Sequence, residues 1–398
     1  MLCAAGRTIT AGDADHTVSA VNVEQLVPRM QRKVVLFASS KITDQCVFTN
    51  GLFQNIFFLY KIAEILGYTS MFLFNEKDMS EQRPEFMKNA RVLILDDLVK
   101  NPIPIHAYIE IGMSINPDLR RYLKTLGARV IKLYLGNILN IDIETPTYYT
   151  MHNFAHHVVG NSDEIWTSPH YEMHREYAAT LNHVPLGTDT CKIAAYIWGP
   201  EFITNFGSSS PKWTPQEPSE LPTFLIMEPN ISFQKASVVP LLILEAFHRA
   251  NPTFKFKVIV GNGLRLQQVP YSANCFLPNL EIFKKDMIEL HGRIDMATAM
   301  KKYPHAYPIC HNYNNEFNYM TLEYLYCGFP IIHNSPTWSD AGYYYNDDSI
   351  QAGVKAVANA LSKHADSIDT FVAQGAAIIW RHSVNNPKVQ EAWKKLLG

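Results

Sequence analysis

The feature that most constrains the fold is an alternation that occurs twice. Short apolar runs bounded by small polar residues take turns with longer stretches whose apolar residues recur at helical spacing. In the first half the short runs are KVVLFASS from Lys33, TSMFLFN, RVLILDD over Arg91 to Asp97, AYIEIG, RVIKLYLGN over Arg129 to Asn137, and EIWTSP over Glu164 to Pro169. Apolar runs of this length are buried strands. Between them LFQNIFFLYKIAEILGY, PDLRRYLKTLGA and HYEMHREYAATL are helices, the first closed by Gly67 at its C-terminal stop. Strand and helix in turn predict a parallel sheet covered on both faces.

The stretch WGPEFITNFGSSSPKWTPQEPSELP, from Trp198 to Pro222, then has the Pro, Ser and Gly content of a linker. A second series follows. TFLIMEPN, KFKVIVGNG, IELHGRID, AYPICHN and FPIIHNS are its strands with polar exits, and SVVPLLILEAFHRANP is a helix with Pro240 in its first turn, where a missing N–H is harmless. The expected class is α/β, two Rossmann-like domains facing a cleft, with C-terminal helices packing back across both. The expected boundaries are an extension over 1–30, a first domain over 31–200, a linker over 201–222, a second domain over 223–365 and closing helices over 366–398.

Composition narrows the function classes. A net charge of -2 supplies no broad basic field for nonspecific nucleic-acid binding. The cysteines, Cys3, Cys46, Cys191, Cys275, Cys310 and Cys327, form no C-x-x-C pair and fit neither a zinc ribbon nor a disulfide framework. No apolar run is long enough to span a bilayer, and the first thirty residues lack a signal peptide's apolar core. The expected location is the cytoplasm, with reduced thiols.

In open α/β sheets ligands bind beyond the carboxyl ends of the strands, so the polar residues there are the candidates. NEFNYMTLEYLYCGFPIIHNSPTW, Asn315 to Trp338, opens from an Asn-rich loop into a helix, places Glu323 one turn in, and exits through Gly328 and Pro330 into a strand. A helix N-terminus favours an anion such as a diphosphate. Asn318, Tyr319 and Thr321 lie at that N-terminus, and His311 ends the preceding strand. Glu228, Asn230 and Lys235 follow the first strand of the second series, and Gly261-Asn262-Gly263 follow the next without the third glycine of a dehydrogenase fingerprint. In the first domain Asn50, Gly51 and Asn55 occupy the first strand-to-helix turn, and Asn137 follows a later strand. Glu110, Asp142 and Glu144 are the acids available to act on an acceptor hydroxyl. His152 and His156 are four apart, but no third metal ligand accompanies them and H-E-x-x-H is absent.

The Asn315 to Glu323 region, followed by Cys327-Gly328-Phe329-Pro330, resembles the glutamate-x7-glutamate region of retaining glycosyltransferases of the GT-B fold. One departure stands out: Asn315 occupies the position of the first glutamate, with Glu316 one place off. The resemblance implies that Glu323 binds the ribose of a nucleotide. It also implies that Lys235 neutralises the departing diphosphate, and that the VGNGL and HGRID loops border the donor. Most of the chain after the first thirty residues also resembles a sparsely characterised bacterial and phage family of GT-B-like proteins, through FTNGLFQNIFFL, EIWTSP, EPNISFQK and NYMTLEYLYCGFPIIHNSP. The implied activity is transfer of a sugar from a nucleoside diphosphate sugar, a UDP-sugar foremost, to an acceptor hydroxyl. It is expected to proceed with retention and without a metal or other cofactor. The acceptor is open: a glycan, a small molecule or a modified DNA base. The alternatives are a phage-type DNA glucosyltransferase, a sugar-nucleotide epimerase, and a non-catalytic GT-B scaffold.

Overall fold

The computed structural model of the chain describes residues 33–39, 51–75, 84, 87–111, 117–136, 139–140, 142–144, 160–204, 210–346 and 349–398. The first half forms seven strands: β1 (Val34–Ala38), β2 (Thr69–Phe74), β3 (Val92–Ile94), β4 (Ala107–Ile111), β5 (Arg129–Tyr134), β6 (Glu164–Thr167) and β7 (Cys191–Ile193). They build one parallel sheet in the order β3-β2-β1-β4-β5-β6-β7. The second half forms β8 (Thr223–Ile226), β9 (Lys257–Val260), β10 (Ile288–Leu290), β11 (Tyr307–Pro308), β12 (Ile332–His333) and β13 (Tyr343–Tyr344). Here the order is β10-β9-β8-β11, and a parallel bridge from Ile309 to Ile332 carries it on into the β12-β13 pair. Both halves are therefore doubly wound, with strand order reversing between β1 and β4 and between β8 and β11. A crevice opens beyond the strand ends at such a reversal.

The helices that position the site are α1 (Gly51–Ile65), α2 (Pro117–Thr125), α3 (Val238–Ala250), α4 (Tyr319–Tyr326), α5 (Ile350–His382) and α6 (Pro387–Leu397). The long α5 lies against α3 and α4 and bends at Ser367. The chain then returns to the first sheet through α6. Trp393 donates its indole N–H to the Ala195 carbonyl at 3.0 Å, and its ring meets Trp166 edge-on at 5.9 Å. Arg129 donates to the carbonyls of Leu396 and Leu397 at 2.8 and 2.9 Å, which satisfies open carbonyls at the helix end. The expected return of the closing helices is thus present.

Two local expectations change. RVLILDD is strand only over Val92–Ile94, and Leu95–Lys100 is a helix. Asp96 and Asp97 fall in that helix's first turn, where the dipole favours carboxylates. The Pro/Ser-rich stretch is fastened to the second sheet's side. Trp213 is buried, its backbone N–H donates to the Cys327 carbonyl at 3.0 Å, and its ring meets His364 edge-on at 4.5 Å. Among the described residues no helix is long and apolar enough to cross a membrane.

Candidate functional site

A cavity of about 140 Å³ lies between the two halves at the carboxyl ends of β8, β9 and β10. Gly51 and Gln54 of α1 form its wall on the first half. The opposite wall is Met227, Pro229 and Lys235 after β8, Gly261 and Asn262 after β9, Arg293, Ile294 and Met296 beyond β10, and Asn318, Tyr319, Met320 and Glu323 of α4.

Local chemistry shapes each part. Asn318 caps α4, its side-chain oxygen accepting from Met320 N–H at 3.3 Å while its amide donates to Asn312 Oδ1 at 3.2 Å. The remaining polarity of the helix start faces the cavity. The loop after β8 is tied down by two asparagines with left-handed backbone, Asn230 at φ 54° and Asn262 at φ 58°, a conformation that asparagine tolerates. Asn230 Oδ1 accepts from Ser237 N–H at 2.8 Å, and Asn262 donates its amide to the Pro229 carbonyl. Beyond them Ser232 to Lys235 is a tight turn, closed by Lys235 N–H on the Ser232 carbonyl at 3.2 Å. Its end is bridged to Asn312.

Glu323 is buried on α4. Its Oε1 accepts from Gln54 Nε2 at 3.0 Å, and Gln54 Oε1 accepts in turn from the Trp198 indole at 3.1 Å. Burial, with Asp295 adding repulsion and the Gln54 bond opposing, pushes the Glu323 carboxyl up to about 7. The Lys235 ammonium makes no hydrogen bond or ion pair to any described residue, and burial pulls it below the ordinary lysine range against the opposing pull of Glu228. Tyr319 packs beside Tyr196 at 5.9 Å. Gly51 is required here, because a Cβ at that position would overlap the Tyr319 ring. Gly51→Ala is expected to destabilise the protein by about 1–3 kcal/mol, despite alanine's better helix propensity. A urea midpoint equal to or above that of the parent would contradict this close approach.

Of the residues singled out in the sequence, Gly51, Lys235, Asn262, Asn318, Tyr319 and Glu323 meet at this cavity. Asn230 serves its own loop, and Asn55 lies within α1, where it donates to the Gly51 carbonyl at 3.2 Å. Thr321 lies behind the helix against Cys310 at 3.8 Å. His311 is buried, its Nδ1 at 3.1 Å from Tyr345 Oη. That phenol gives its hydrogen to the Cys310 carbonyl at 2.9 Å, so Nδ1 must be the donor to Tyr345. Asn315 accepts from the Tyr171 phenol, a bond between the two halves at the position where the resemblance places a glutamate. Glu228 is fully buried beneath Lys235 and faces no solvent. Asn50, Asn137, His152, His156 and the extension 1–30 lie outside the described residues.

The three acids expected to serve as a base do not line the cavity. Glu110 is in the core of the first sheet, accepting from Arg120 Nε at 2.8 Å, Arg120 Nη2 at 2.7 Å and Lys132 Nζ at 3.2 Å, so its expected role is corrected to a structural one. Glu144 accepts from Ser232 Oγ at 3.2 Å and Phe233 N–H at 3.1 Å, and thereby fastens the Lys235 turn from the first half. Asp142 accepts from the Tyr177 phenol at 2.5 Å.

Three contributors escaped the sequence reading. Gln54 is a lone polar residue one turn into an apolar helix, and Arg293 sits inside the quoted HGRID loop; both were visible as polar residues in otherwise explained segments. His170, after β6, lies tilted against the rings of Tyr171 at 3.7 Å and Phe317 at 4.5 Å. Burial and the charge of Lys235 hold its imidazole well below the usual histidine range, so it is neutral. Among the described residues no group of three or more His, Cys, Asp or Glu side chains is placed to hold a metal ion.

Two doubly wound sheets facing a cleft, crossed by a returning C-terminal helix, define a protein of the GT-B fold. Solved structures agree on that architecture. Sucrose-phosphate synthase from Thermosynechococcus elongatus aligns with a TM-score of 0.54 at 11% identity, covering 92% of this chain and 98% of that one. A structure described as trehalose-6-phosphate from E. coli bound with UDP-2-fluoro glucose gives 0.54 at 11%, covering 92% and 99%. The α,α-trehalose 6-phosphate synthase of Burkholderia multivorans gives 0.53 at 8%, covering 92% and 96%. The chain belongs to the family described as protein of unknown function DUF2827, which matches residues 35–397. No curated protein sequence matches it.

Proposed function

We propose that the protein is a glycosyltransferase that takes a sugar from a nucleoside diphosphate sugar, UDP-linked, and delivers it with retention to an acceptor hydroxyl. The carrying observation is one cavity at the switch point of the second sheet. It joins an ammonium with no hydrogen bond or ion pair among the described residues, a capped helix start, and a carboxylate one turn along that helix. Lys235 and the start of α4 would meet the diphosphate, and Glu323 the two ribose hydroxyls. Residues 31–200 would present the acceptor, with neutral His170 and the Tyr171–Asn315 contact at the junction. Among the described residues no acid of the first half lines the cavity, which favours retention, where the leaving phosphate itself takes the acceptor proton. No divalent ion is required where a lysine and a helix start already face the leaving group. The solved structure with UDP-2-fluoro glucose favours uridine as the base.

The cavity is smaller than the roughly 300–1,000 Å³ of ordinary ligand pockets. Donor entry therefore requires Gln54 to leave Glu323, exchanging an amide for ribose hydroxyls on the same oxygens. The test is a thermal-shift panel of UDP-, GDP-, ADP- and CDP-sugars on the parent protein and on Glu323→Ala and Lys235→Ala. One donor is expected to raise Tm, since a ligand at a hundred times its Kd adds about 2.7 kcal/mol. Both variants are expected to lose that rise. A parent indifferent to all four overturns the proposal.

A further inference from the structure

Glu228 has an environment that a donor-binding role does not explain. It follows β8 at the sheet's carboxyl end with no exposed surface, and both carboxylate oxygens are buried with no side-chain hydrogen bond, facing the His311 backbone N–H as a donor of poor geometry. An ionised carboxylate so placed is expensive, and the cheap form is the protonated one. Lys235 is the cation that acts on it, yet the two make no ion pair, and the ammonium lines the cavity instead. The Lys235 backbone cannot drift toward the acid. Its N–H is on Ser232, its carbonyl accepts from Asn230 N–H at 3.2 Å, and it is bridged to Asn312.

We propose that Glu228 is a positioning residue acting through Lys235. While Glu228 holds its proton, the ammonium's charge is left for the donor's diphosphate; when Glu228 loses it, the two side chains neutralise each other and the diphosphate is released. This rests on the donor-site reading above.

The surroundings isolate this pair. Facing Glu228 are Lys235, the Cys310 thiol, the His311 backbone and the Tyr324 phenol; facing Lys235 are Glu228, Cys310 and His170. Burial pushes Cys310 and Tyr324 up and His170 down, so all three are neutral near pH 8. Arg293 and Glu323 stand on the cavity walls, with Asp295 acting on Glu323. Among the groups that face Lys235, Glu228 is thus the one whose charge changes near pH 8. Burial, opposed by Lys235 and the His311 backbone, pushes the Glu228 carboxyl up to about 8. A dianion bound to Lys235 removes part of that opposition and raises it further, so binding takes up a proton.

The experiment is isothermal titration of UDP into the full chain at pH 8.5, in two buffers of different ionisation enthalpy. The parent is expected to take up a fraction of a proton approaching one per UDP. Its affinity is expected to weaken about tenfold per pH unit above pH 8, as proton linkage requires. Glu228→Gln is expected to bind UDP at pH 8.5 with no proton uptake and with a flat affinity from pH 8 to 9, an effect that a merely structural role would not produce. Binding by the parent without proton uptake overturns the inference and leaves the donor site standing. No binding of UDP to the parent at any pH overturns both.

Discussion

Lys235→Ala is expected to lower kcat/KM for the sugar-nucleotide donor by about 10²–10³-fold, or roughly 2.7–4 kcal/mol of transition-state stabilisation. Charge develops on the departing diphosphate during transfer, so a cation aimed there is worth more in the transition state than in the ground state. Lys235 is suited to this because no protein carboxylate or carbonyl already holds its ammonium. Its turn is fixed from both halves, by Glu144 on Ser232 and Phe233 and by the bridge to Asn312. The loss should therefore fall on kcat as well as on KM. The variant should stay folded, because Glu228 beneath it can remain protonated when the cation is gone. Nucleotide release in steady state, with denaturation midpoints as the folding control, measures this. A folded variant within threefold of the parent would remove Lys235 from the donor site.

The architecture was legible because its signals are local. A buried parallel strand is a short apolar run, a helix start is an asparagine before an amphipathic turn, and Leu36 in β1 and Asn318 before α4 play those local parts in the structure. The site was legible where it repeats the strand-end rule, as at Lys235, Asn262 and Glu323. It was illegible where one half of the chain meets the other. Gln54 and Glu323 are 269 residues apart, Tyr171 and Asn315 are 144 apart, and Glu144 reaches Ser232 across 88. No periodicity within either segment encodes such a meeting. β7 and β13 were missed for a related reason: three- and two-residue strands at sheet edges carry too little pattern. Glu110 failed differently. An acid near a strand's carboxyl end has the same sequence signature whether it faces the cleft or the core, and only the partners on α2 and β5 decide.

Those partners make Glu110→Ala the largest stability effect expected in this protein, about 3–5 kcal/mol. Glu110, Arg120 and Lys132 are all buried, and the carboxylate is the anion between two cations. Removing it takes away the anion that both the buried guanidinium and the buried ammonium hold. Lys132 can relieve the charge by giving up its proton. Burial already lowers its pKa, with the Arg120 charge adding to that and Glu110 opposing. Without Glu110 it falls further. A lysine whose folded pKa lies below its unfolded one costs stability at and below the folded value. That cost fades as pH rises toward the ordinary lysine range. The deficit of Glu110→Ala should thus be widest near neutral pH and narrow on the alkaline side. Replacing all three residues together with apolar ones of similar volume should cost much less than Glu110→Ala alone, because no charge is then stranded. Urea denaturation across pH measures both comparisons, and donor turnover per folded molecule of Glu110→Ala should match the parent. A near-neutral Glu110→Ala midpoint combined with lost turnover would return Glu110 to the cleft as the acceptor's base.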